Sequence, residues 1–124
     1  MALTVTLVRA ANTALGKEAV VDVNFDASYP TNGETLNLAA APLSGMDAFT
    51  AVDSVSVTEG PYTSAGAKIA STVCTRILYD FAASRAPATG LLVAHAESAT
   101  GEETEVANTT DLSTVFCRLH VIGR

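Results

Sequence analysis

Apolar and polar residues alternate in single steps over most of this chain. Leu3, Val5 and Leu7 stand against Thr4 and Thr6, the period of a strand with one buried face. Residues 10–17 interrupt the pattern with turn formers. A second strand then starts at Glu18, with Val21, Val23 and Phe25 on one side and Asp22, Asn24 and Asp26 on the other. Tyr29-Pro30-Thr31-Asn32-Gly33 reads as a turn, because Pro fixes its own φ and Asn-Gly accepts positive φ at little cost. Over residues 34–49 the alternation lapses. Leu36-Asn37-Leu38-Ala39-Ala40-Ala41 suits a helical turn that Pro42 and Ser44-Gly45 stop, so one short helix at most is expected. Alternation resumes around Val55 and Val57 and ends at Gly60-Pro61.

A long strand is expected over residues 69–79, mixed on both sides, and another over 91–97, with the acidic stretch 102–105 as a loop. After Asn108-Thr109-Thr110-Asp111 comes the closing strand, where Val115, Cys117, Leu119 and Val121 share one face and Thr114, Phe116, Arg118 and His120 the other. So apolar a face suits a central strand better than a loose edge. Six or seven short strands punctuated by Gly, Pro and Asn, with almost no helix, predict an all-β protein. The expected architecture is an antiparallel β-sandwich, a class that includes jelly rolls, formed by residues 1–124 as one domain.

Composition adds a hint about surface. Charged residues are 16% of the 124, below the roughly 25% usual for soluble domains, which suggests that a partner covers part of the exterior. The formal net charge is −6, and Lys and Arg nowhere cluster. A phosphate-tracking surface needs a positive footprint, so nucleic acid and anionic lipid are not expected partners. The first residues lack a basic leader with a continuous apolar core, and no apolar run approaches the ~18 residues of a membrane span. Cys74 and Cys117 are too few for a disulfide framework; one bridge is open to them if their strands pair, but two reduced thiols are expected.

No constellation points to catalysis. His95 and His120 fall within separate strands, with nothing in their spacing to either cysteine that suggests a nucleophile and base. Glu102, Glu103, Glu105 and Asp111 form an acidic cluster, but the twelve-residue calcium-loop pattern is missing and a solvated loop is expected. The dispersed glycines do not form a phosphate-cradling loop. The expectation is a protein that is not an enzyme and takes no cofactor or metal.

Several short patterns carry a resemblance that covers most of the chain. These are the Leu3-Thr4-Val5-Thr6-Leu7-Val8 strand, the turn from Ser28-Tyr29 to Thr35-Leu36, Val55-Ser56-Val57, and Asn108 to Ser113 leading to Val121-Ile122-Gly123-Arg124. Together they resemble the decoration, or cement, proteins on the heads of tailed bacteriophages. The resemblance implies a β-sandwich that forms homodimers or homotrimers and fastens neighbouring subunits of the major capsid protein. Its place would be the outer surface of the virion, after synthesis in the cytoplasm of the host bacterium. The chain departs from the family pattern over residues 69–79, which are richer in Ala, Ser and Thr than the aromatic strand of relatives.

Low charge and many small residues fit such a clamp, because multivalent binding to a lattice rests on buried area rather than on reactive groups. Tyr29, Met46, Phe49 and Tyr62 are the candidate contact residues, as aromatic and Met side chains outside the strand pattern are enriched in interface cores. The alternative role for them is to cap the ends of the sandwich core. The alternative function is a non-catalytic binding module, carbohydrate-recognising or tail-associated, although a chain without Trp offers little aromatic platform.

Overall fold

A computed structural model describes residues 3–13, 16–38, 49–80 and 89–124. Its eight strands are β1 (Thr4–Thr13), β2 (Gly16–Asn24), β3 (Glu34–Asn37), β4 (Val52–Tyr62), β5 (Arg76–Asp80), β6 (Thr89–Glu97), β7 (Glu103–Glu105) and β8 (Phe116–Gly123). All the pairings are antiparallel. One sheet has the order β1-β2-β8-β4; in the other β6 is flanked by β3 and β5 and also pairs with β7. The result is the two-sheet β-sandwich expected from the alternation, with no helix among the described residues.

The apolar faces meet in one core. Val21, Val23, Cys117, Leu119 and Val121 face inward from the first sheet, and Leu36, Ile77, Leu92 and Ala94 from the second. Each fully buried Val or Leu contributes about 1.5–3 kcal/mol by leaving water. The closing strand β8 lies between β2 and β4, the central place its pattern predicted. Beside its end, Arg124 N–H donates to Ala51 O (2.8 Å) and Ala51 N–H returns a bond to Arg124 O (3.2 Å). This zipping seats Phe49 in the core.

Five expectations need correction. Residues 10–13 continue β1 and Gly16 and Lys17 open β2, paired in one hairpin, instead of making up the interruption expected over 10–17. Glu34–Asn37 form strand β3, so Leu36 and Asn37 of the helical turn expected over 36–41 are extended, Leu36 gaining burial by facing inward opposite Gly90 of β6; residues 39–41 lie outside the described residues. The long strand expected over 69–79 shrinks to β5; residues 71–73 turn, with Val73 and Cys74 N–H both donating to Ala70 O. Acidic residues 103–105 pair with β6 instead of forming a loop. Asp26, expected outside with Asp22 and Asn24, is buried, since β2 ends at Asn24 and the alternation ends with it.

Cys74 and Cys117 are both free and buried. Burial pushes the Cys74 thiol up to about 11 and that of Cys117 to about 12, so neither supplies thiolate at neutral pH. A disulfide-type thiol reagent should therefore modify neither cysteine rapidly in the native protein and both once denaturant is added. Fast labelling without denaturant would contradict the buried placement.

Candidate docking face

The side of the β1-β2-β8-β4 sheet turned away from the core carries two of the ion pairs formed among the described residues. Strand alternation dictates its membership: with Val21, Val23, Cys117 and Leu119 inside, Glu18, Val20 and Asp22 of β2 and Phe116, Arg118 and His120 of β8 must point outward. Register does the rest. Asp22 is the cross-strand partner of Arg118, and Arg118 is also opposite Glu59 of β4.

Arg118 Nε donates to Asp22 Oδ1 at 2.7 Å and Nη2 to Asp22 Oδ2 at 3.0 Å, a two-pronged pair. Tyr62 Oη donates to the same Oδ1 at 3.4 Å. The hydrogen bond from Arg118 holds the Asp22 carboxyl below its ordinary range, and the carboxylate in turn raises the guanidinium. Burial raises the Tyr62 phenol, as does the neighbouring Asp22 charge. One step along the sheet, His120 Nε2 lies 2.5 Å from Glu18 Oε1. These pairs are roughly one-third exposed or more, so solvent screening leaves them little weight in folding. Their effect is to hold the charged side chains in place, which would lower the ordering cost of meeting another surface.

A shallow groove of about 490 Å³ runs across this face between Val8 and Arg9 on one side and Thr58 and Glu59 on the other. The Arg9 side chain makes no hydrogen bond or ion pair among the described residues, and Val8 and Ile122 are 45% and 43% exposed. The face thus combines fixed ion pairs, one free cation and exposed apolar side chains. That combination suits recognition of another protein surface by area and charge.

Of the three residues named from the sequence that are described, only Tyr62 lies on this face, at the end of β4 and opposite Phe116. Tyr29 and Phe49 are core side chains with no surface to offer a partner, which is the end-capping alternative. Met46 lies outside the described residues. The acidic cluster is dispersed: Glu103 pairs with Arg76 at 2.6 Å, Glu105 accepts from Tyr29 Oη at 3.0 Å, and Asp111 accepts from Ser113. Among the described residues no three His, Cys, Asp or Glu side chains converge as a metal site. His95 belongs to the other sheet, far in topology from the His120–Glu18 pair.

No family model, curated protein or solved structure matches this chain. The face must therefore be read on its own chemistry. Sequence reasoning missed Asp22, Arg118, Glu18 and His120 as a group because β2 and β8 are about a hundred residues apart, and only their register brings the pairs together. The available signal was opposite charge on the polar sides of the two cleanest alternations.

Proposed function

We propose that this protein is a structural component of a tailed-phage virion that decorates and stabilises the icosahedral head. It would bind across neighbouring major capsid subunits through the outer face of the β1-β2-β8-β4 sheet. The observation that carries this reading is the preset array on that face, Asp22–Arg118–Tyr62 beside Glu18–His120 with exposed Val8 and Ile122. A rigid sheet with ion pairs already formed meets another protein at small entropic cost, and a repeated lattice multiplies a modest single-copy affinity. The resemblance in the strand and turn patterns supplies the identity of the lattice. Assembly as a homodimer or homotrimer would match its local symmetry axes.

The test is addition of the purified chain to expanded, undecorated phage heads. Saturable co-sedimentation and a higher temperature of head disruption are expected. Carrying Val8→Asp and Ile122→Asp together should weaken binding by roughly ten- to a hundredfold while leaving the melting temperature nearly unchanged, since both side chains are exposed. Binding to no head at all would remove the proposal.

One observation favours the second reading, a saccharide-binding module. Tyr62 and Phe116 are cross-strand neighbours on the same face, which makes a small two-ring platform. Retention on a glycan panel that Tyr62→Ala abolishes, without capsid binding, would select it.

A further inference from the structure

We infer that buried Glu34 keeps its proton at neutral pH, directed at Asp26, and so forms a pH-sensitive clasp across the connection between the two sheets. The two residues bracket that connection. Asp26 lies just past the end of β2, where the chain leaves the first sheet, and Glu34 opens β3, where it joins the second. Both are buried, with exposures of 8% and 3%.

Their oxygens are the reason for the proton. Asp26 Oδ1 accepts from Ser28 N–H at 2.8 Å, but Asp26 Oδ2 and both oxygens of Glu34 have no partner. The Asp26 carboxyl lies within hydrogen-bonding and charge reach of Glu34, and buried acceptors left without a well-placed donor are costly, two ionised carboxylates side by side costlier still. One proton placed between Asp26 Oδ2 and Glu34 turns an acceptor into a donor and removes one of the two charges. Burial first, and then the side-chain hydrogen bond and charge of Asp26, push Glu34 up to about 8, while a hydrogen bond from the Asp26 backbone pulls more weakly the other way.

Two leucine residues border the pair. Leu92 of β6 is the register partner of Glu34, and Leu112 donates its N–H to the backbone oxygen of Asp26 at 3.1 Å. Tyr29 turns its hydroxyl to Glu105 and Ala94 rather than to this pair. Among the described residues, Asp26 is therefore the charged side chain that faces Glu34.

The sign follows from proton linkage. The unfolded chain releases the Glu34 proton near its ordinary value of 4.5, whereas the folded chain keeps it to about 8. The folded state thus holds more protons in this window, and its stability falls as pH rises from about 5 to 8, then levels. Loss of the proton leaves two like charges at the ends of the connection, which favours its opening.

The experiment is a melting-temperature profile from pH 5 to 9 for the wild type, Glu34→Gln and Asp26→Asn, with infrared spectra at pH 7. The wild type should lose on the order of 5–10 °C over the range. Glu34→Gln should flatten the profile and melt higher than the wild type at pH 9. Asp26→Asn should also shrink the slope, because its amide can donate to Glu34, and it serves if the Gln variant does not fold. Contributions from the histidines are common to all three proteins and cancel in the differences. A protonated-carboxyl stretch at pH 7 should vanish in Glu34→Gln. A flat wild-type profile, a slope undiminished in both variants, or no protonated-carboxyl band in the wild type would overturn the inference.

Discussion

Tyr29→Ala should lower the stability of this protein by about 4–6 kcal/mol, enough to unfold much of a marginally stable population. Truncating a large buried aromatic removes about 3–5 kcal/mol through lost transfer energy and the cavity left behind. Tyr29 has no exposed surface and packs against Phe25, with ring centres 6.3 Å apart. Its hydroxyl adds to this, since it accepts from Ala94 N–H at 3.1 Å and donates to Glu105 Oε1 at 3.0 Å. Alanine would leave the Ala94 amide unpaired inside the protein, at a further cost of about 1–3 kcal/mol that local rearrangement partly offsets. Tyr29→Phe separates the two contributions and should cost about 1–3 kcal/mol. Denaturant titration of both variants checks the argument. A Phe variant as stable as the wild type would show that the hydroxyl bonds contribute nothing, and an Ala variant within about 1 kcal/mol would show that the ring is not in the core.

Gly60→Ala should cost about 2–4 kcal/mol, a large effect for one methyl group on an edge strand. Gly60 has φ +115°, a region that an L side chain rarely enters. A Cβ there would lie 2.8 Å from Cys117 Cβ, 2.9 Å from Cys117 Cα and 2.9 Å from Phe116 O, so β4 and β8 would have to separate. Gly101→Ala is the matched control: it also has positive φ, +85°, but a Cβ would meet nothing within 4 Å. The control should cost only about 1 kcal/mol from the backbone alone. If the two variants melt together, the close approach of β4 to β8 has no energetic weight.

What the residues disclosed in advance depends on how each strand is exposed. The clean alternations of β2 and β8 have one face in the core and one in water, so their inward residues were legible to the position. Residues 69–79 are mixed on both sides because Val73 is exposed in a turn while Cys74 is buried, and neither period describes a bend. β3 was hidden by Leu-Asn-Leu-Ala, which has fair helix propensity; pairing with β6 overrides it. Tyr29 lies in a loop by pattern, yet the fastening of Thr109 N–H to Tyr29 O and Tyr29 N–H to Thr110 O turns it inward. The candidate docking face was the least legible part. Asp22 with Arg118 and Glu18 with His120 are long-range pairs set by strand register, which local pattern does not contain.

The place of β8 also governs how the fold is assembled. In the β1-β2-β8-β4 order, β2 and β4 join one sheet only through β8, and the β2–β8 register begins with Lys17 opposite Gly123. Closing so long a loop loses chain entropy before any contact compensates it, which places this chain among slow folders, on the order of milliseconds to seconds. Until β8 inserts, β2 and β4 expose open edges that neighbouring chains can join. Refolding yield should therefore fall as protein concentration rises, and the vulnerable interval ends when the central strand docks.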